Sequence, residues 1–109
     1  MKHLVYIFLF ITSFVFAQSG FEKGNVLYQK GQYEQAIQAY ESVLDNHQQS
    51  AELYFNLGNC YYKLNKVAPS IYNYEKALVL HPEDTDIANN LKFARVVNRI
   101  CSVSTDFSG

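Results

Sequence analysis

Between residues 51 and 64 the apolar positions Tyr54, Leu57, Tyr61 and Leu64 recur every three or four residues. That spacing lays one stripe along a helix. The stripe breaks at Asn65-Lys66 and resumes with Ile71, Tyr74, Ala77 and Leu78. Pro82 follows and stops the second helix, because it cannot continue the backbone ladder. Pro69 lies near the start of that helix, where its missing N–H does little harm. Ser50 is placed to cap the first helix. One unit earlier the same rhythm appears, broken at Gly31-Gln32. At an offset of 34 residues, Phe21 falls on Phe55, Gly24 on Gly58, Asn25 on Asn59 and Tyr28 on Tyr62, and five further pairs coincide, from Ile37/Ile71 to His47/His81. Nine identities in thirty pairs compare with roughly two by chance at ordinary residue frequencies. A period of this length marks a helix-turn-helix repeat. Glycine inside a helix costs about 1 kcal/mol relative to alanine, so its recurrence at Gly24 and Gly58 predicts a neighbouring helix packed too close for a side chain.

The pattern therefore predicts an all-α solenoid of two hairpins, over about residues 18–50 and 51–84. A third element starts at Asp84-Thr85-Asp86, which supplies a cap and negative charge for a helix N-terminus. Ile87, Leu91, Ala94 and Val97 form its apolar stripe, and Asn89, Lys92, Arg95, Asn98 and Arg99 its polar side. It reads as a helix over about 85–100 that covers the open end of the second hairpin, as a stack of repeats requires. Residues 101–109 show no periodicity and read as a flexible tail.

The N-terminus follows a different logic. Met1-Lys2-His3 is a short basic start, and Leu4 to Ala17 is a run of fourteen uncharged residues. A helix needs about 20 apolar residues to cross the hydrocarbon core, so the run fits the hydrophobic region of a secretory signal peptide. Val15-Phe16-Ala17 suits a cut before Gln18, leaving the protein exported, in the periplasm or envelope. A buried core helix and an uncleaved anchor are the alternatives. No cysteine follows the cut, so a lipid anchor is not indicated.

Composition narrows the chemistry. Nine Lys and Arg against ten Asp and Glu give a net charge of -1, which lacks the basic surplus of a nucleic-acid platform. Three His and two Cys are too few and too scattered for a zinc site or a disulfide framework. His47 and His81 fall at the ends of second helices, where an imidazolium would face the negative end of the dipole. Cys60 reads as a small packing residue, with a bridge to Cys101 the alternative. Glu34, Glu41, Glu75, Glu83 and Asp84 read as solvated faces and caps, so paired-carboxylate catalysis has no support. No phosphate-cradling glycine loop or nucleophile motif occurs. The expectation is a protein with no catalytic residues, no metal and no cofactor.

Ala51 to Pro82 resembles a tetratricopeptide (TPR) repeat, whose signature is met by Tyr54, Leu57-Gly58, Tyr61, Ser70, Tyr74, Ala77 and Pro82. The first unit keeps Gly24, Leu27, Ala36 and Tyr40, but has Gly20 and Lys23 at signature positions and Gln48 in place of the proline. The order of leader, two repeats and Asp86 to Arg95 is similar to the exported TPR proteins of bacterial aerotolerance (Bat-type) operons. Those proteins continue through further segments, so the resemblance implies a chain truncated at its C-terminus.

Stacked helix pairs line a concave surface with their first helices. Residues at intervals of 34 then share rows: Phe21, Phe55 and Asn89; Asn25, Asn59 and Phe93; Tyr28, Tyr62 and Val96; Asn56 and Asn90. An asparagine amide both donates and accepts, so rows of Asn can hold a peptide backbone. The candidate groove is Phe21, Asn25, Tyr28, Phe55, Asn56, Asn59, Tyr62, Lys63 and Asn90, holding an extended segment of a partner protein; the competing reading makes the aromatics core packing. Chaperone-tail receptors of the family use Lys and Arg at positions that here carry Phe21, Asp86 and Asn90, and Asp86 would repel a carboxylate. The resemblance implies an adaptor without catalysis in an envelope complex for oxidative-stress resistance, with von Willebrand A-type membrane proteins as partners. The alternatives are a generic scaffold for envelope assembly or secretion, a regulatory part or fragment of a larger protein, and a carrier of a small amphipathic ligand. Two repeats make a small core, so weak self-association over the uncapped first helix is a further expectation.

Overall fold

The computed structural model describes residues 19–108, with side chains as far as residue 103. The apolar leader at 1–17 and the boundary at Ala17-Gln18 lie outside the described residues. Five helices follow in order: α1 (Gly20–Gln29), α2 (Tyr33–Asp45), α3 (Ala51–Lys63), α4 (Val67–Leu80) and α5 (Thr85–Ser108). Helices α1 and α2 pack as one hairpin and α3 and α4 as the next, with α2 against α3 and α4 against α5. The described residues contain no strand.

Local chemistry sets the boundaries. Ser19 Oγ accepts from the backbone N–H of Glu22 at 3.2 Å, Ser50 Oγ from that of Leu53 at 3.1 Å, and Asp84 Oδ1 from those of Asp86 and Ile87 at 2.9 and 3.1 Å. Each cap satisfies donors that the helix start leaves unpaired. The turns inside the two hairpins are copies: Gly31 has φ 76° and Asn65, 34 residues on, has φ 60°. These are the left-handed positions that end a helix, where Gly and Asn cost least. The two histidines, by contrast, differ. His47 has φ 61°, while His81 has φ -142° and its Nδ1 lies 3.4 Å from Asp84 Oδ2. Pro82 forces the residue before it into extended backbone, whereas Gln48 places no such demand on His47.

The core runs between the hairpins. Ala36, Ile37, Tyr40, Leu53, Tyr54, Leu57, Cys60, Ala77 and Ile87 form one buried cluster, and Tyr74, Leu91 and Ala94 a second. Gly24 and Gly58 are buried under the rings of Tyr40 and Tyr74, so the recurrent glycine marks the close crossing within each hairpin. Ser70, wholly buried, donates to the Gly58 carbonyl at 2.8 Å and ties the crossing together.

Helix α5 repeats the first helix of a hairpin but refuses a second. At the position of Gly58 it carries Lys92, and at that of Tyr61 it carries Arg95. Both are exposed, and no partner helix could close on them. Arg95 bonds Glu75 at 2.9 Å, where Tyr61 bonds Glu41 at 3.1 Å one repeat earlier. The ion pair is half exposed, so its contribution is small. The tail expected at 101–109 is helical as far as Ser108. No Gly or Pro interrupts Thr85 to Ser108. Missing apolar periodicity shows which faces are bare, and does not by itself end a helix.

Candidate peptide-binding groove

Two copies of one hydrogen-bond relay tie neighbouring hairpins together. In the first, Tyr40 OH donates to Asn25 Oδ1 at 2.6 Å, and Asn56 Nδ2 donates to the same oxygen at 3.2 Å. In the second, Tyr74 OH donates to Asn59 Oδ1 at 2.5 Å and Asn90 Nδ2 to the same oxygen at 3.1 Å. Each relay joins three helices: α1, α2 and α3, then α3, α4 and α5. The central amide spends its oxygen on the fold. What it keeps for a ligand is its N–H pair, while Asn56 and Asn90 keep their oxygens. Asparagine in this row is therefore half structural, which the sequence reading did not separate.

The second relay stands at the edge of an open hollow of about 320 Å³ lined by Tyr28, Asn59, Tyr62, Lys63, Tyr74, Asn90 and Phe93. Five of the candidate residues, Tyr28, Asn59, Tyr62, Lys63 and Asn90, are thus brought together. Asn25 and Asn56 belong to the first relay and do not line this hollow. Phe21 and Phe55 do not line it: both are half-buried and packed on the core, with ring centroids 6.0 Å from Tyr40 and 5.9 Å from Tyr74. They hold the relay tyrosines in place, as the core-packing alternative has it. Tyr74 and Phe93 are the residues that the candidate set lacked. Phe93 shares a row with Asn59 at the offset of 34, a signal present in the sequence. Tyr74 belongs to the buried stripe of a second helix, and its hydroxyl bonds Asn59 beside the hollow.

Burial pushes the hydroxyls of Tyr40 and Tyr74 and the thiol of Cys60 up to about 12. The relay donors therefore keep their protons throughout the physiological range. All three groups are neutral in the fold at pH values where an unfolded chain has begun to ionise. Their stabilisation is complete below pH 9 and falls as pH climbs from 9 and 10 towards 12. The melting temperature is expected to fall by more than about 10 °C between pH 9 and pH 11. Thermal melts followed by circular dichroism read this directly, and a flat profile to pH 11 contradicts it.

Other chemistry is sparse. Among the described residues no group of three or more His, Cys, Asp and Glu is placed to hold a metal ion. Cys60 is wholly buried as a free thiol, so the bridge considered with Cys101 is not formed. No helix among the described residues is long and apolar enough to cross a membrane.

Models of two TPR families match the chain: one described as TPR repeat over residues 24–65, and one described as tetratricopeptide repeat over residues 51–84. No curated protein matches the chain.

Proposed function

Through residues 24–84 the chain belongs to the tetratricopeptide repeat family, and from that premise we propose that it is an exported adaptor whose concave groove holds an extended segment of another protein. Repeats of this family support a protein-binding role; the groove, the compartment and the partner are our reading. The observation that carries it is the second relay: an amide N–H pair on Asn59 and an amide oxygen on Asn90 stand on neighbouring first helices, beside Tyr62 and Phe93. A backbone lying in the hollow gives a C=O to the first and an N–H to the second. Its apolar side chains rest on Phe93, which is 63% exposed. Lys63 is the charged residue of the lining, so a segment with an acidic side chain is favoured over a basic one.

The uncharged leader and its small residue at Ala17 support export. The resemblance to aerotolerance proteins supports an envelope complex for oxidative-stress resistance, with von Willebrand A-type membrane proteins as partners. A photo-crosslinking residue placed at Tyr62 tests the whole reading in living cells. The expected adduct appears in the envelope fraction, contains a chain beginning at Gln18, and is absent when the same residue is placed at Val79, which is 79% exposed on α4. Equal adducts from both positions, or adducts confined to the cytosol, refute it.

A further inference from the structure

The hollow beside the second relay is lined by four rings and a single charge. Tyr28, Tyr62 and Phe93 stand on α1, α3 and α5, and Tyr74 reaches it from α4. Among the described residues no aliphatic and no acidic side chain joins the lining. Two of the rings are fixed. Tyr28 meets Tyr33 edge-on with centroids 5.2 Å apart, and Tyr74 donates its hydroxyl to Asn59. The other two, Tyr62 and Phe93, are exposed. Lys63 supplies the charge, and among the described residues it has no ion-pair partner. The amide N–H pair of Asn59 lies one turn earlier on the same face of α3 and makes no hydrogen bond among the described residues. Gln29 and Val97, the counterparts of Lys63 one repeat to either side, are uncharged, so the positive charge of that row is confined to the hollow.

We propose that the hollow selects its partner's segment by two side chains, one aromatic and one acidic, placed two residues apart. The inference rests on the peptide-groove reading and adds to it the chemistry of the segment. Ring faces and ring edges carry opposite partial charge, so a ring entering among Tyr28, Tyr62 and Phe93 gains from edge-to-face or offset contact that an aliphatic side chain lacks. Walls fixed before binding, as Tyr28 and Tyr74 are, cost less ordering when the ligand arrives. The acidic side chain answers Lys63, the cation without a counter-charge. The spacing comes from the segment itself. Alternate side chains of an extended chain face the same way, about 6–7 Å apart. One helical turn, about 5.4 Å, separates Asn59 from Lys63 along α3. A ring seated at the level of Asn59 and Phe93 therefore leaves the carboxylate two residues on within reach of the Lys63 ammonium.

Short peptides of random sequence, acetylated at one end and anchored through the other, test this when probed with the whole chain. The expected peptides share Phe, Tyr or Trp two residues from Asp or Glu. In a selected peptide, Lys in place of the acid is expected to weaken binding at least about fivefold, and Leu in place of the ring at least about threefold. Lys63→Glu, at an exposed position, is expected to exchange the acidic preference for Lys or Arg and to keep the aromatic one. Phe93→Ala is expected to do the reverse, losing the aromatic preference and keeping the acidic one. A merely structural role for either residue would not move the two preferences separately. Bound peptides that lack the pair, or a charge preference unmoved by Lys63→Glu, overturn the proposal. If such peptides still lose binding to Asn59→Asp, the groove stands and only selection by the pair fails. If no bound peptide is lost on Asn59→Asp, the groove fails and the pair with it.

Discussion

Gly58→Ala is expected to cost the domain about 2–3 kcal/mol and to lower its melting temperature by more than about 10 °C. Helix propensity alone points the other way, since alanine gains about 1 kcal/mol over glycine in a helix. Packing wins here. A Cβ added at Gly58 meets Tyr74 Cδ1 at 2.5 Å and Cε1 at 2.6 Å. The ring cannot swing aside, because Tyr74 is 1% exposed, packs beside Phe55, and is held by its bond to Asn59. To admit the methyl group, α3 and α4 must separate, and the buried bond from Ser70 to the Gly58 carbonyl stretches with them. A domain of this size has about 5–10 kcal/mol in total, so the loss is a large share of it. Chemical denaturation followed by circular dichroism measures the change. A neutral or stabilising alanine would mean that the hairpin crossing is looser than described. Gly24→Ala meets the ring of Tyr40 in the same way, and its expected effect has the same sign.

Asn59→Asp should separate binding from folding. The carboxylate retains an oxygen where Tyr74 OH and Asn90 Nδ2 donate, and hydrogen bonds to a charged acceptor are the stronger ones. The relay and the hairpins therefore survive. The N–H pair is gone, and a negative charge stands where a peptide carbonyl would lie. Capture of the partner is expected to weaken by at least about 30-fold, equivalent to about 2 kcal/mol. Asn59→Ala is the contrasting variant. It strands the hydroxyl of Tyr74 without its acceptor, which costs about 1–3 kcal/mol of stability, so it confounds the two effects that aspartate keeps apart. Binding of the crosslinked partner segment, measured alongside a thermal melt, distinguishes them. Retained affinity in Asn59→Asp would remove the amide from the binding surface and, with it, the groove as drawn.

The offset of 34 made the architecture legible. Stripes at Tyr54, Leu57 and Tyr61 and at Ile71, Tyr74 and Ala77 locate both helices of a hairpin, because burial of one helical face is a property of spacing. Caps and breaks were equally local: Ser50 and Asp84 start helices, and Asn65 and Pro82 end them, through bonds and backbone preferences within a few residues. The recurring glycine announced a close crossing, though not the tyrosine ring that fills it. Less visible was how a side chain divides its polar atoms. Asn25 and Asn59 look in sequence like free amides on a concave row, yet each gives its oxygen to a tyrosine fifteen residues away and to an asparagine thirty-one residues on. Phe21 and Phe55 occupy a neighbouring row and pack against the core.

Residues 101–108 mark the same boundary from another direction. Their lack of an apolar period hid a continuing helix, and the exposed apolar residues Phe93, Val96, Ile100 and Val103 emerged only once the buried side of α5 was known. By itself, then, the sequence determined the four hairpin helices, the start of α5, the order of the repeats and the buried stripes of the second hairpin, since these depend on residues close together in the chain. Tertiary structure alone decided which polar atoms remain for a partner and which apolar side chains stay bare, because those depend on what a neighbouring helix brings across the gap.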